Sequence, residues 1–271
     1  MIIDGRRIAR RLLAQVRTEV EALGRTPLVR ILVQQPSAAT ESYLRIKQEK
    51  AEETGMVLQL IRPENDATTD EVIAKIALGG ADAIIVQLPI ADAVDTVRVL
   101  NAIPVELDAD VLSEAAYERF LNNEEGALLP PVVGAIREIL AEAGIELPGK
   151  RAVVVGGGRL VGQPAAAWLS AEGASVTTIT REIGDLGALR DADIVITGAG
   201  SPGLILPEHL KQGVVLIDAG TSESGGAIVG DADPACAEVA SFFTPVPGGV
   251  GPIAVACLMQ NVVELTRLRA S

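Results

Sequence analysis

Short apolar segments alternate with segments of helical periodicity along most of this chain of 271 residues. In the first half, apolar residues recur at helical spacing over 6–22, and the apolar run from Leu28 to Val33 is typical of a buried strand. The pattern then predicts a helix over 39–53, a strand over 56–61, a helix over 69–78 and a strand over 83–87. Strands separated by helices favour a parallel sheet, since parallel neighbours need a long crossover connection.

The second half repeats this pattern around a glycine-rich turn. Apolar residues 153–155 run into Gly156-Gly157-Gly158, and a helix is predicted over 163–172. Further strands are predicted over 175–179, 194–196 and 214–217. This order predicts a Rossmann-like, doubly wound lobe that binds a dinucleotide. The predicted fold class is therefore α/β, with an N-terminal parallel-sheet lobe and a C-terminal Rossmann-like lobe.

The length of the chain also favours two lobes, because one hydrophobic core usually organises about 150 residues. Residues 104–131 show no clear period and are interpreted as the region between the lobes. The final helix, over 253–268, is expected to return to the first lobe. We therefore predict a first domain of residues 1–128 completed by 253–271, and a Rossmann-like domain of residues 129–252.

Composition excludes several classes of function. A formal net charge of −13 argues against a nucleic-acid partner, because neutralising phosphates requires clustered Lys and Arg. The chain has no run of about 18 uninterrupted apolar residues and no signal-peptide core, so we expect a cytoplasmic protein without a membrane partner. Cys236 and Cys257 lack motif spacing and are expected to be buried free thiols, and with His209 as the one histidine we expect no metal site.

The turn from Gly156 to Gly162 lies between a predicted strand and a predicted helix. Its glycines make the turn, and the start of the helix presents unpaired N–H groups to an anion such as a phosphate. The spacing differs from G-x-G-x-x-G, because Val161 takes the place of the third glycine and Gly162 follows one residue later. Dinucleotide binding is predicted, and a turn of purely structural purpose is the alternative.

The choice of cofactor depends on the tip of the next strand, where an NAD site would carry Asp or Glu. The tip here is Thr180-Arg181, and a guanidinium suits the 2′-phosphate of NADP. NADP is therefore predicted. Glu182, the next residue, keeps NAD as an alternative, and an exposed arginine without a function is the other interpretation.

The run from Thr244 to Pro252, TPVPGGVGP, holds three prolines and three glycines. Proline removes backbone donors and glycine costs backbone entropy, so we predict a rigid loop that is neither helix nor inner strand. Such a loop lets a flat ligand approach the main chain closely. A linker that crosses between domains is the alternative.

Tyr43 and Lys47 stand four residues apart on one predicted helix and share a face. Lysine offers chemistry that arginine lacks, because a desolvated ammonium can lose its proton near neutral pH. A surface lysine whose stem lies along the protein is the other interpretation. Gln87 ends the run 83–86 at the strand end where open α/β sheets bind ligands, which indicates a site residue.

Taken together, these segments resemble the bifunctional methylenetetrahydrofolate dehydrogenase/methenyltetrahydrofolate cyclohydrolase family. The resemblance covers nearly the whole chain in order and spacing, and the late third glycine of the turn is itself typical of the family. The segments that carry it are Tyr43-x-x-x-Lys47, Val86 to Pro89, Gly156 to Pro164, Gly230 to Asp233, and Thr244 to Pro252.

The resemblance implies two lobes around a cleft, with folate on the first lobe and NADP on the second. Lys47 is then the catalytic lysine, Tyr43 stacks on the folate ring system, and Gln87 forms a hydrogen bond with Lys47 that tunes it. Further implied substrate residues are Leu88, Pro89, Asp110, Pro247, Gly248 and Gly249. The implied cofactor residues are Gly156, Gly157, Gly158, Val161, Gly162, Arg181 and Thr221.

The implied function is oxidation of methylenetetrahydrofolate with NADP, followed by metal-free hydrolysis to formyltetrahydrofolate. Such an enzyme serves one-carbon metabolism and purine biosynthesis as a cytoplasmic homodimer whose ligands are tetrahydrofolate derivatives. The alternative is a divergent member that keeps one of the two activities, or an NAD(P)-binding protein with a different substrate.

The chain departs from the family between the lobes. The usual Lys-Asp-Val-Asp-Gly run appears here as residues 106–111, ELDADV, without the lysine and the glycine. Counting back from Gly134 places Asp110 on the aspartate that grips the folate pyrimidine, whereas counting forward from Pro104 places Ala109 there. Asp108 and Asp110 therefore compete for this role, and Asp110 is the prediction.

Overall fold

The computed structural model describes residues 1–181, 184–225 and 227–269, which form two compact units. The three-stranded unit comprises Arg10–Pro131 and Val255–Ser271. The five-stranded unit comprises Met1–Ala9 and Val132–Ala254. Each unit is built on a parallel sheet, as the alternation of apolar and helical segments predicted.

In the three-stranded unit the strand order is β2-β1-β3, and both pairings are parallel. The strands are β1 (Leu28–Val33), β2 (Val57–Ile61) and β3 (Ala83–Gln87). The central strand β1 is almost wholly buried, which explains why all its residues except Arg30 are apolar, and Arg30 is satisfied by hydrogen bonds to Gln59 Oε1 and Gly79 O. Val33 pairs with Gln87, so the carboxyl ends of β1 and β3 meet at one edge of the sheet.

Helices connect these strands, and polar residues set their ends. Helix α2 (Ala38–Glu53) connects β1 to β2 and α3 (Thr69–Ile76) connects β2 to β3, whereas α4 (Thr96–Asn101) and α5 (Glu114–Leu121) follow β3. Ser37 caps α2 by accepting the N–H of Thr40 at 3.1 Å, and Gly55 follows the helix with a φ of +83°. The start of α2 at this cap fixes where the later turns of the helix place Tyr43 and Lys47.

The five-stranded sheet has the order β10-β7-β6-β4-β5, with all neighbours parallel. The strands are β4 (Arg151–Val155), β5 (Ser175–Ile179), β6 (Ile194–Thr197), β7 (Val215–Asp218) and β10 (Phe242–Thr244). Helix α7 (Gly162–Ala171) connects β4 to β5. The strand order reverses between β4 and β6, and a doubly wound fold binds its ligand beyond the carboxyl ends of such a pair.

The remaining elements are α1 (Gly5–Leu23), α6 (Pro131–Glu142), α8 (Val250–Leu268) and the antiparallel hairpin of β8 (Ser222–Ser224) and β9 (Ala227–Val229). Among the described residues, no helix is long and apolar enough to cross a membrane. Cys236 and Cys257 are both buried, as predicted.

Three predictions about the chain need correction. Residues 1–9 group with the five-stranded unit, because the backbone N–H of Ile3 donates to Phe243 O at 2.8 Å beside the edge strand β10. The region 104–131, in which the sequence shows no clear period, contains the helix α5, which buries Ala116 and Phe120. The predicted boundary between residues 128 and 129 stays a prediction.

The third correction concerns the run from Thr244 to Pro252, which is only partly a loop. Thr244 ends β10, and α8 begins at Val250. Proline and glycine were expected to exclude both a strand and a helix, but neither exclusion applies at the two ends of this run. β10 is an edge strand, and Pro252 lies in the first turn of α8, where its missing N–H would have no partner within the helix.

Candidate functional site

Lys47 and Gln87 form a hydrogen bond in the three-stranded unit. Lys47 Nζ donates to Gln87 Oε1 at 2.9 Å, and both residues are half-buried. The Gln87 amide is oriented by its second contact, in which Nε2 donates to the carbonyl oxygen of Leu88 at 3.0 Å. The predicted hydrogen bond between these residues is confirmed. Tyr43 lies one turn before Lys47 on α2 and is also half-buried, so both side chains are accessible to a ligand.

The two competing aspartates have different surroundings. Asp108 is 1% exposed, and its carboxylate accepts the backbone N–H groups of Leu112 at 3.0 Å and Ser113 at 2.7 Å. Burial raises the pKa of Asp108, and these hydrogen bonds oppose the shift. Its carboxylate is therefore engaged in holding the chain that leads into α5.

Asp110 faces a different neighbour. Burial raises the pKa of its carboxyl group, the Lys47 ammonium opposes this shift, and the charge of Asp108 adds to it. Asp110 therefore interacts electrostatically with Lys47. The adjacent backbone is fixed by Asn261 of α8, whose Nδ2 donates to Ala109 O at 2.8 Å and to Leu129 O at 2.9 Å. Sequence reasoning missed Asn261, because nothing local to α8 indicates a partner about 150 residues away.

The other predicted substrate residues lie in two places. Leu88 and Pro89 follow β3 directly, with Leu88 half-buried and Pro89 exposed, and their peptide bond is cis. Pro247, Gly248 and Gly249 belong to the five-stranded unit. Gly248 has a φ of +108°, and a Cβ at Gly249 would lie 2.7 Å from Pro245 O, so this turn requires glycine at both positions.

The turn after β4 packs against the segment after β6 through glycines. Gly156 has a φ of +110°, and a Cβ there would lie 2.6 Å from Gly198 O. A Cβ at Gly162 would lie 1.8 Å from Gly156 O. Gly162 is thus the close-packing third glycine, one residue later than in G-x-G-x-x-G. Val161 occupies the preceding position, and its Cγ1 would lie 2.4 Å from a Cβ at Gly198.

The same turn fits a dinucleotide phosphate. A Cβ at Gly158 would have no neighbouring atom within 4 Å, so the main chain is open to a ligand on that side. Val161, the N-cap of α7, has no side chain that accepts a hydrogen bond from the first turn. Free N–H groups at a helix start favour an anion.

Of the other residues expected to bind the cofactor, Arg181 follows a strand tip that lies next to this turn. A Cβ at Gly157 would lie 3.1 Å from Thr180 Cγ2, which places the tip of β5 beside the glycines. Arg181 follows Thr180 and is exposed. Glu182, the residue that kept NAD as an alternative, lies outside the described residues. Thr221 is exposed and follows β7 and Gly220.

Comparison with known families assigns both halves of the chain. Residues 3–110 match the tetrahydrofolate dehydrogenase/cyclohydrolase catalytic domain, and residues 130–270 match the NAD(P)-binding domain of the same family. The chain belongs to the tetrahydrofolate dehydrogenase/cyclohydrolase family. The predicted family, the two-domain α/β fold, the two enzyme activities and NADP as cofactor are confirmed.

Relatives of this tetrahydrofolate dehydrogenase/cyclohydrolase share its full length. Bifunctional protein FolD of Staphylococcus aureus strain Newman is 35% identical over 278 residues, covering 99% of this chain and 97% of the relative. The FolD crystal structure from Campylobacter jejuni has a TM-score of 0.95 at 28% identity and covers 99% of each chain. FolD of Trypanosoma brucei, solved with NADP cofactor and inhibitor, has a TM-score of 0.91 at 30% identity, covering 100% of this chain and 98% of that one.

Two buried carboxylates of the dehydrogenase/cyclohydrolase were not recognised as site residues from the sequence. Asp218 ends β7 and Asp231 lies in the Gly230 to Asp233 segment, and their exposed fractions are 1% and 0%. Burial and the nearby charge of Asp231 raise the pKa of Asp218 to about 6, against the opposition of three backbone N–H groups. A polar residue that ends an apolar strand was the signal that identified Gln87, and Asp218 carries the same signal.

Proposed function

We propose that Lys47 transfers protons in the folate chemistry of this enzyme, supported by Gln87 and Asp110. The observation that carries the proposal is the hydrogen bond from Lys47 Nζ to Gln87 Oε1 at 2.9 Å. It fixes the ammonium at the carboxyl end of a buried strand, and Asp110 supplies an opposite charge nearby. A general acid or base must be held within reach of the reacting atoms, and this contact supplies such positioning.

The two reactions form a sequence on one folate. The glycine turn would hold NADP, which would supply a hydride acceptor for the methylene carbon, and loss of that hydride would leave a methenyl bridge on the folate. Water then adds to that carbon, the bridge opens to a formyl group, and one proton is released. Lys47 assists the proton movements at Nζ, and Gln87 keeps the ammonium oriented. Neither step requires a metal ion in this proposal.

We assign folate recognition to the residues around Lys47. The ring of Tyr43, one turn away on the same helix, stacks on the folate ring system. The Asp110 carboxylate accepts hydrogen bonds from the pyrimidine edge, because Asp108 is already engaged by Leu112 and Ser113. The further substrate residues in this proposal are Leu88, Pro89, Pro247, Gly248 and Gly249.

The dinucleotide residues belong to the five-stranded unit. Main-chain N–H groups of Gly157 and Gly158 and of the α7 start, at Val161 and Gly162, hold the phosphates, and Gly156, whose N–H donates to Ile179 O at 2.8 Å, shapes the turn. Arg181 contacts the 2′-phosphate, since a guanidinium forms charged bidentate hydrogen bonds with phosphate. Thr221 lines the site at the end of β7.

We also propose that the enzyme is a cytoplasmic homodimer that supplies one-carbon units for purine biosynthesis and binds no nucleic acid. The net charge of −13 supports the last point. Sedimentation of the purified protein tests the dimer.

A paired spectrophotometric assay tests the proposed function. With methylenetetrahydrofolate and NADP the protein should form NADPH, and with methenyltetrahydrofolate alone it should form formyltetrahydrofolate in the presence of a chelator. A parallel assay with NAD measures cofactor preference. Absence of both activities at high enzyme concentration contradicts the proposal, and one activity without the other identifies a divergent member of the family.

A further inference from the structure

The Asp231 carboxylate lies completely buried among donors from the segment after β6. It accepts Thr197 Oγ1–H at 2.6 Å, Ala199 N–H at 2.7 Å and Ser201 N–H at 2.6 Å. These donors come from the end of β6 and the four residues that follow it. Three short hydrogen bonds to one buried carboxyl group fix the path of this segment, since leaving any of these buried donors unpaired would be costly.

The segment that Asp231 holds is the one that packs on the glycine turn. Gly198 stands between Thr197 and Ala199, and its carbonyl oxygen would lie 2.6 Å from a Cβ at Gly156. Gly198 also lies against Val161, the N-cap of α7. Any displacement of the 197–201 segment would therefore move the backbone that approaches the phosphates. β4 and β6 flank the reversal of strand order, so both segments lie where a dinucleotide binds.

Asp218 extends the same arrangement to the segment after β7. Its carboxylate accepts the N–H groups of Gly220 at 2.9 Å, Asp231 at 3.2 Å and Ala232 at 2.9 Å. The first contact fixes the residue before Thr221, and the other two fix the backbone that carries Asp231. The packing requires glycines, because a Cβ at Gly220 would lie 2.2 Å from Asp231 Cγ and one at Gly230 would lie 2.0 Å from Asp218 Oδ2.

We propose that Asp231, whose backbone is held by Asp218, is a positioning residue for NADP. Its carboxylate holds the 197–201 segment against the glycine turn and in this way determines the affinity for NADP. It does not itself contact the cofactor in this proposal. The inference rests on the proposed placement of NADP at the glycine turn. It predicts that removing the Asp231 carboxylate impairs the use of NADP selectively.

The test compares Asp231→Asn with the matched variant Asp233→Asn. Asp233 lies two residues along, and its carboxylate caps a short helix by accepting Ala235 N–H at 2.8 Å. In Asp231→Asn one acceptor oxygen is replaced by an NH₂ group, so the side chain can no longer accept hydrogen bonds from all three donors. The dissociation constant for NADP, measured by calorimetric titration, should therefore rise by about tenfold or more. Asp233→Asn should leave it unchanged. Hydrolysis of methenyltetrahydrofolate, which uses no NADP, reports on folding in the same preparation.

Thr197→Val serves as a second variant, because it removes one donor to Asp231 while keeping the side-chain shape. It should raise the dissociation constant by about threefold, in proportion to the loss of one hydrogen bond, and it decides the matter if Asp231→Asn fails to fold. Unchanged NADP affinity in Asp231→Asn or in Thr197→Val overturns the inference while leaving the proposed function intact. Failure of the unmodified enzyme to bind NADP contradicts the proposed function instead.

Discussion

At the scale of single residues, contacts decide between alternatives that spacing leaves open. A surface lysine keeps its ammonium in water, whereas Lys47 gives a hydrogen bond to an amide at the end of a buried strand. Spacing indicated Tyr43 and Lys47 as site residues and the strand end indicated Gln87, and their roles stay predictions. The register of Asp108 and Asp110 could not be read from the sequence, because it depends on which carboxylate the backbone N–H groups of Leu112 and Ser113 engage.

Replacing Lys47 by methionine keeps the length of the stem and removes the ionisable amine. Hydrolysis of methenyltetrahydrofolate should fall by about two to four orders of magnitude, the usual contribution of general acid or base catalysis. Lys50→Met is the matched control on the same helix, since Lys50 pairs with Glu53 at 2.6 Å near the surface. Steady-state rates measure both, with NADP titration as the folding control. Near-normal hydrolysis in Lys47→Met would identify a lysine without a catalytic role.

The two aspartates should respond differently to replacement by asparagine. Asp110→Asn should weaken folate binding by about tenfold or more, because unpaired donors on the pyrimidine edge cost about 1–3 kcal/mol. Asp108→Asn should instead lower the free energy of unfolding, since its carboxylate accepts two buried backbone N–H groups. Folate titration and urea unfolding of both variants separate the effects. A loss of folate affinity confined to Asp108→Asn would reverse the assignment.

Arg181 controls the preference for NADP if it contacts the 2′-phosphate. Arg181→Ala should raise the Michaelis constant for NADP by about tenfold and leave that for NAD nearly unchanged, because only NADP carries the phosphate. Arg190→Ala is the control, since Arg190 is also exposed and lies in the short helix Leu186–Asp191. Initial rates with each cofactor measure the effect. Equal changes for NADP and NAD would place Arg181 away from the 2′-phosphate.

At the scale of elements, buried strands were the most predictable part of the fold. The structure places β1, β3 and β5 at the residues predicted, because each is a short run of mostly apolar or β-branched residues with a clear change of composition at its ends. Helix α4 has only six residues, too few to establish a period. The run from Thr244 to Pro252 was interpreted by composition, yet the edge position of β10 and the first turn of α8 tolerate its prolines and glycines.

The glycine turn provides a prediction that separates folding from cofactor binding. At Gly158 an added methyl group meets open space, so Gly158→Ala should retain the stability of the free protein but weaken NADP binding by occupying space that the phosphates need. At Gly162 the same methyl group would lie 1.8 Å from Gly156 O, so Gly162→Ala should also destabilise the protein. Thermal unfolding and NADP titration of both variants test this contrast. Normal NADP affinity in Gly158→Ala would mean that the phosphates lie elsewhere.

At the scale of the whole molecule, the sequence indicated two α/β bodies but not their full membership. The first nine residues join the five-stranded unit through the contact of Ile3 with Phe243, 240 positions away, and no local signal marks such a pairing. The contacts of the buried carboxylates could not be read from the local sequence either. Asp218 and Asp231 stand 13 positions apart in sequence, yet together they organise the segments after β6 and β7. Whether an aspartate is buried depends on the assembled unit. Because burial raises the pKa of Asp218, the contribution of this residue to stability depends on pH.

Asp218 should make the stability of the five-stranded unit decrease as pH rises. Its folded pKa of about 6 lies above the ordinary value of 3.8, so between these values the folded state binds a proton that the unfolded state has lost. This contribution is present in full below the unfolded pKa and disappears as pH passes the folded one. From pH 5 to pH 7 the loss should amount to about 1.3 kcal/mol.

Urea unfolding of the unmodified protein and of Asp218→Asn at pH 5, 6 and 7 measures this effect, because asparagine does not titrate and the contributions of all other groups cancel in the difference. The advantage of the unmodified protein over the variant should be largest at pH 5 and should level off above pH 6. Asp233→Asn is the control, since its carboxylate caps a short helix and is only half-buried. Parallel pH curves for the unmodified protein and Asp218→Asn would mean that Asp218 is already ionised at pH 5, despite its burial beside Asp231.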